Sequence, residues 1–186
     1  MLNTSNIIFV CWLIFLGYWI INWKSVKPTH EAAWRAPRFR WIFLWIIILL
    51  LLLHSIFPSY KTTPAHFSLI VIAGMIVTII GLTIAIIARK TLADNWSSDV
   101  ELKKNHKLII TGIYSYARHP IYTGIITMGI GTIITLQSIH ATSFSIGMIA
   151  FMIFKMKKEE KLLLKHFPKE YSSYQKKTKA LFPFLY

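Results

Sequence analysis

The sequence predicts an all-α, polytopic membrane protein with five transmembrane helices, cytoplasmic C-terminal helices and no Rossmann domain. Three observations predict it. Of 186 residues, 55% are hydrophobic, more than an ordinary soluble domain carries. Charge is confined to a few segments, leaving uncharged stretches at 7–23, 41–59, 66–88 and 121–154. A bilayer core takes about 20 helical residues, and backbone facing lipid must satisfy its own N–H and C=O groups, which a helix does. Finally, the basic residues segregate to one side of these stretches.

Taken in order, the first span covers residues 7–23. Its first positive charge, Lys24, follows the apolar run instead of preceding it, which argues against a cleaved signal peptide. The lone Cys11 lies inside this span, so neither a disulfide framework nor a thiolate metal cluster is expected, and no metal site is assigned. The second span covers 41–59 and the third 66–88, with His54 and His66 read as interfacial residues near span ends. In the third span Gly74, Thr78, Gly81 and Ala85 recur at i, i+4, i+7 and i+11. Gly124, Thr127, Gly131 and Thr135, at i, i+3, i+7 and i+11, form a similar face in the fourth, 121–137. Such small faces let membrane helices approach closely. Polar residues at 137–142 (QSIHAT) break the last stretch into a hairpin whose second arm is the fifth span, 142–156. The whole of 1–186 reads as one membrane domain without repeats.

The formal charge of +14 raises the question of nucleic acid. Its distribution answers it. Segment 23–40 holds five Lys/Arg, the 58–65 loop one, 89–120 six, the turn between the fourth and fifth spans none, and the tail from Lys155 nine. Twenty of the 21 basic residues thus fall on one side, which the positive-inside rule makes cytoplasmic, with the N-terminus outside and the C-terminus inside. Membrane lipids, whose anionic headgroups such residues attract, are expected partners, and nucleic acid is not.

Two segments exceed what packing needs. Residues 94–124 form a long polar connector, and long ordered loops are more often functional. It ends in Arg118-His119-Pro120 before the fourth span. Proline suits a first helical turn, and a helix start beside a cation and an imidazole favours an anionic group such as a carboxylate. The second segment, KMKKEE at 155–160, places Glu159 and Glu160 at the same membrane depth as Arg118 and His119. Ionisable groups at that depth are costly unless paired or used. After it the helix should continue through 162–167. Pro168 should restart another, carrying Tyr171 and Tyr174 and amphipathic enough to lie along the surface.

The ordered series His106-x-Leu108, Gly112-x-Tyr114, Arg118-His119-Pro120-x-Tyr122-x-Gly124, a hairpin of two spans, Glu159-Glu160, Phe167, Glu170-Tyr171, Tyr174 and Phe182-Pro183 resembles the isoprenylcysteine carboxyl methyltransferase family and its phospholipid methyltransferase relatives. Asn95-Trp96-Ser97 is typical of bacterial and archaeal members. The resemblance covers half the chain, roughly residues 94–183. It implies S-adenosylmethionine held between the last spans and the C-terminal helix, so the lack of a GxGxxG motif does not count against a nucleoside cofactor. Carried over by position, His106, Lys107, Leu108 and Ile109 would contact the cofactor largely through backbone. Tyr114, Arg118, His119, Pro120 and Ile121 would complete its pocket, with Glu159 on the other side. A polar cofactor contact, Gln in some members, aligns loosely with Asp99. One departure stands out: the family's substrate-facing Arg, four residues before the first Glu, is Lys155 here.

The implied reaction is methyl transfer to a lipophilic or prenylated substrate entering from the bilayer. A carboxylate acceptor needs no base, only a cation to orient it, and Lys155 would serve. An amine acceptor must lose a proton, for which Glu160 is the nearest candidate. Replacing Arg by Lys removes a bidentate fork, which weakens the case for a prenylcysteine carboxylate in particular. The alternatives are a phospholipid amine N-methyltransferase, a sterol-type NADPH reductase, which usually needs a larger bundle, and a non-enzymatic membrane scaffold.

Overall fold

The structure, a computed structural model, describes residues 4–22, 29–34, 68–97, 100–103 and 107–183. Among the described residues five α-helices carry it: α1 (Thr4–Ile21), α2 (Leu69–Leu92), α3 (Pro120–Leu136), α4 (Ile139–His166) and α5 (Pro168–Lys177). The expected second span at 41–59 lies outside the described residues, as do His54, His66, Asp99 and His106. By length and composition Leu69–Asn95 and Ile139–His166 can cross a membrane, whereas Ser5–Ile21 and Pro120–Leu136 are apolar but shorter. The 17 residues of α3 rise about 26 Å at 1.5 Å each, a few ångströms short of a hydrocarbon core of about 30 Å. Large apolar side chains face outward along α2, among them Leu69, Ile70, Ile76 and Ile87. Outward faces of this kind suit contact with lipid.

α2 and α3 are antiparallel and in backbone contact through the two small faces read from the sequence. A Cβ placed on Gly81 would lie 2.5 Å from the Met128 nitrogen, and one on Gly124 2.6 Å from the Ala85 nitrogen. One on Gly131 would meet the Thr78 nitrogen at 2.5 Å. Buried threonines on these faces satisfy themselves on the preceding turn, Thr78 on the Gly74 carbonyl at 3.0 Å and Thr135 on Gly131 at 2.8 Å. Trp12 of α1 donates to Thr132 of α3 at 3.1 Å, holding the first helix to the pair.

The α3–α4 turn is tighter than expected. Gln137, in the left-handed conformation (φ 46°), and Ser138 are all that separate the helices. α4 therefore begins at Ile139 and takes in most of the polar stretch that was read as a break. As expected, the helix continues past the end of the span at 156, through KMKKEE to His166. Pro168 then starts α5, as expected, with Tyr171 and Tyr174 buried.

One element was not anticipated. β1 (Thr29–Trp34) and β2 (Val100–Lys103) pair antiparallel in a two-stranded ribbon, so the fold is mostly helical without being purely so. Val100 of the ribbon packs with Leu162 of α4 in a small satellite cluster.

Candidate functional site

The cytoplasm-assigned end of the bundle is built where α3 begins and α4 emerges. Pro120 is the first residue of α3, and no side chain caps the helix. This fixes His119 as the N-cap and aims both Arg118 and His119 at α4. There Glu160 accepts from Arg118 Nε and Nη2, each at 2.8 Å. His119 Nε2 lies 3.2 Å from the same oxygen, while its Nδ1 lies 3.9 Å from Glu159. Tyr171 donates to Glu160 at 3.3 Å and Gln175 at 3.4 Å, both from α5. Tyr122, one turn into α3, donates to Glu159 Oε2 at 2.7 Å and stacks on the His119 ring (5.4 Å between centroids, 11° between planes). Lys155, half-buried and one turn before Glu159, holds its ammonium 5.7 Å from the centre of the Tyr122 ring.

The chain past α5 closes this cluster. Arg118 Nη1 donates to the Thr178 and Gln175 carbonyls. The backbone N–H of Arg118 bonds Lys179 (2.9 Å), that of His119 bonds Ala180 (3.0 Å), and Thr123 Oγ1 bonds Leu181 (2.7 Å). Residues 178–181 thus form a strap, bridged in parallel at Ala117 and Lys179, with Ala180 and Leu181 buried. Behind it, Tyr174 donates to the Tyr114 carbonyl, and Tyr114 donates to Ala88 at 3.4 Å. Gly112, at φ 63°, opens the 3-10 turn that presents Tyr114.

The electrostatics follow from burial and pairing. Burial alone would raise the Glu160 carboxyl, but the hydrogen bonds and charges of His119 and Arg118 outweigh it and hold it down at about 2. Burial pushes the Tyr114 hydroxyl well up, and the nearby charge of Glu159 adds to that. Tyr171 is raised by burial and by Glu160. A carboxyl with four donors and so low a proton affinity is a weak base. Glu159 differs: it is more exposed, and the contacts above engage only its Oε2.

Of the residues singled out from the sequence, Tyr114, Arg118, His119, Pro120, Ile121, Glu159, Glu160 and Lys155 converge on this end of the bundle. Lys107 is exposed, Leu108 half-buried, and Ile109 packs against the main core. No described hydrogen bond or ion pair links residues 107–109 to the glutamates, and His106 lies outside the described residues. Sequence reasoning missed three contributors: Gln175, the strap, and Arg89. Arg89 is 2% exposed, donates to Asn22 (2.9 Å) and Ala93 (2.8 Å), and sits 4.4 Å from the centre of the Trp96 ring. It ties the ends of α1 and α2 to Asn95-Trp96-Ser97. Its only sequence signal was a charge at the edge of an apolar run. Among the described residues no group of His, Cys, Asp and Glu is arranged to hold a metal.

Residues 71–165 match the isoprenylcysteine carboxyl methyltransferase (ICMT) family. The chain belongs to that family. Among ICMT-family relatives, the protein-S-isoprenylcysteine O-methyltransferase of Saccharomyces cerevisiae is 32% identical over 169 residues, 88% of this chain and 65% of that protein. That of Dictyostelium discoideum is 30% identical over 123 residues, covering 64% and 50%. Among solved structures, the eukaryotic intramembrane Ras methyltransferase ICMT superposes with a TM-score of 0.59 at 25% identity, over 81% of this chain and 54% of that one. The chain therefore spans about half to two thirds of the length of these ICMT relatives.

Proposed function

We propose that this chain is a membrane methyltransferase that moves the methyl group of S-adenosylmethionine to the carboxylate of a lipophilic, prenylcysteine-like substrate at the cytoplasmic face. The observation that carries the reading is the meeting of Arg118-His119-Pro120-x-Tyr122 with Glu159-Glu160 around one ion pair, with Lys155 beside it. The residues present fit the cofactor through their donor and acceptor set. Glu159, with one oxygen engaged by Tyr122, suits the ammonium or a ribose hydroxyl. Arg118 is spent on Glu160 and the strap. It therefore positions Glu160 and the strap, and His119, set between both glutamates, positions Glu159. The 107–109 segment would add backbone contacts, as the family resemblance implies.

The cofactor supplies a methyl carbon already activated by the sulfonium. A substrate carboxylate would take that methyl with the C–S electron pair left on sulfur, so the site needs no base, only Glu159 and His119 to hold the cofactor and Lys155 to orient the acceptor. No proton moves. The protein's part is to align the two groups and exclude water. Lys155 faces the site from the turn before Glu159 and supplies the cation that orients the acceptor. A Glu160 held at about 2 is poorly suited to the base that amine methylation needs, which favours the carboxylate reading over a phospholipid amine.

Binding of S-adenosylhomocysteine to the purified protein tests the cofactor half. Glu159→Ala and His119→Ala should each weaken it at least tenfold, and full binding in both variants would falsify the pocket. Incubation with labelled cofactor and either a small prenylcysteine or phosphatidylethanolamine tests the acceptor. Label appearing only in phosphatidylethanolamine would overturn the carboxylate assignment.

A further inference from the structure

Between Lys155 and Lys179 the sequence carries nine lysines and three glutamates. The fold sorts them. Glu159 and Glu160 turn inward onto Tyr122, His119, Arg118 and Tyr171, and Lys155 lies over Tyr122. The other eight lysines are exposed, with Glu170 the only exposed acid of that stretch. Six of the eight fall at one level. Lys157, Lys158 and Lys161 leave α4 within a turn of Glu160. Lys176, Lys177 and Lys179 return to the same ion pair because Gln175 reaches Glu160 and the Lys179 carbonyl holds the Arg118 N–H.

Two exposed aromatics mark what lies at that level. Phe154, 48% exposed, ends the uncharged stretch of α4, and the Lys158 ammonium sits 5.5 Å from its ring centre. Tyr116, 68% exposed, stands two residues before Arg118. Exposed aromatic rings with lysines beside them are what a membrane helix presents at the headgroup boundary. At 1.5 Å per residue, Lys157 to Lys161 lie about 5–10 Å past Phe154, roughly one Debye length. Lys169, beyond the end of α4, is farther out.

We propose that Lys157, Lys158, Lys161, Lys176, Lys177 and Lys179 form a collar that binds anionic phospholipid headgroups around the Arg118–Glu160 ion pair. The collar enriches the adjoining leaflet in negatively charged lipid. It rests on membrane embedding, not on methyl transfer, so its failure leaves the proposed activity standing. A lysine at a bilayer surface is worth about fivefold in attraction to an anionic leaflet, and six acting together give a clear preference.

The test is the full-length protein in phosphatidylcholine vesicles containing a minority of spin-labelled phosphatidylserine or, separately, spin-labelled phosphatidylcholine. Electron paramagnetic resonance then reads the protein-bound fraction of each. A several-fold preference for phosphatidylserine is expected, and it should shrink as salt is raised. The six-fold Lys→Gln variant should lose most of the preference, while Lys169→Gln should keep it. No preference in the unsubstituted protein, a preference indifferent to salt, or one equally reduced by Lys169→Gln would overturn the collar. If the six-fold variant does not fold, the triple variants Lys157→Gln/Lys158→Gln/Lys161→Gln and Lys176→Gln/Lys177→Gln/Lys179→Gln decide the matter: each should lose part of the preference, and an unchanged preference in both would overturn the collar.

Discussion

Glu160 shows what a single residue does here. It accepts from a guanidinium, an imidazole, a phenol and an amide contributed by two parts of the chain, the start of α3 and α5. Its carboxyl is depressed from 4.5 to about 2, so its contribution to stability is complete above pH 4.5 and is lost as pH falls through about 2. In detergent the melting temperature of the parent protein should fall across that window, whereas Glu160→Gln should start lower, by about 2 kcal/mol, and change less. Equal acid sensitivity in both proteins would remove Glu160 from the account. Much of this residue's surroundings was legible in the sequence, because Arg118-His119-Pro120 and the glutamate pair are unusual side chains at one membrane depth. The division of labour was not. Arg118 spends one nitrogen on backbone carbonyls of residues 175 and 178, and a carbonyl acceptor leaves no mark on residue identity.

The packing of α2 on α3 was the most legible element of the fold. Small residues at i, i+4 and i+7 mean close approach whichever partner is chosen, and the four positions on α2 all meet α3. Gly81→Ala should therefore destabilise the bundle by about 1–3 kcal/mol, since the added methyl would strike backbone atoms of Met128 and Gly124. Gly147→Ala, with nothing within 4 Å of the new carbon, should be neutral or stabilise the helix by a few tenths of a kcal/mol. Thermal unfolding in one detergent compares the two, and an equal change in both would remove the α2–α3 contact from the account. The ribbon was illegible for the opposite reason. THEAAW does not alternate apolar and polar residues and VELK does so over only four positions, and strands about 70 positions apart announce their pairing only through such a pattern sustained in both.

For the whole molecule, charge segregation and the α3–α4 hairpin make a joint claim about orientation. With Cys11 replaced by Ala, Gln137→Cys in the hairpin turn and Lys177→Cys at the end of α5 should react with an impermeant thiol reagent from opposite sides of sealed vesicles. Labelling of both from one side would break the assignment of the N-terminus outside. The strap of residues 178–181 carries a consequence in time. Its bonds reach back about 60 positions, to Ser115, Arg118, His119 and Thr123. At roughly 5–20 residues per second, a ribosome makes Arg118 some 3–12 s before the segment that fastens it. Until then α3 and α4 can enter the bilayer while their polar ends stay unclasped. Nascent chains arrested just short of the strap should therefore insert as well as longer ones yet fail to retain S-adenosylhomocysteine, making assembly of the site a late event in the protein's birth.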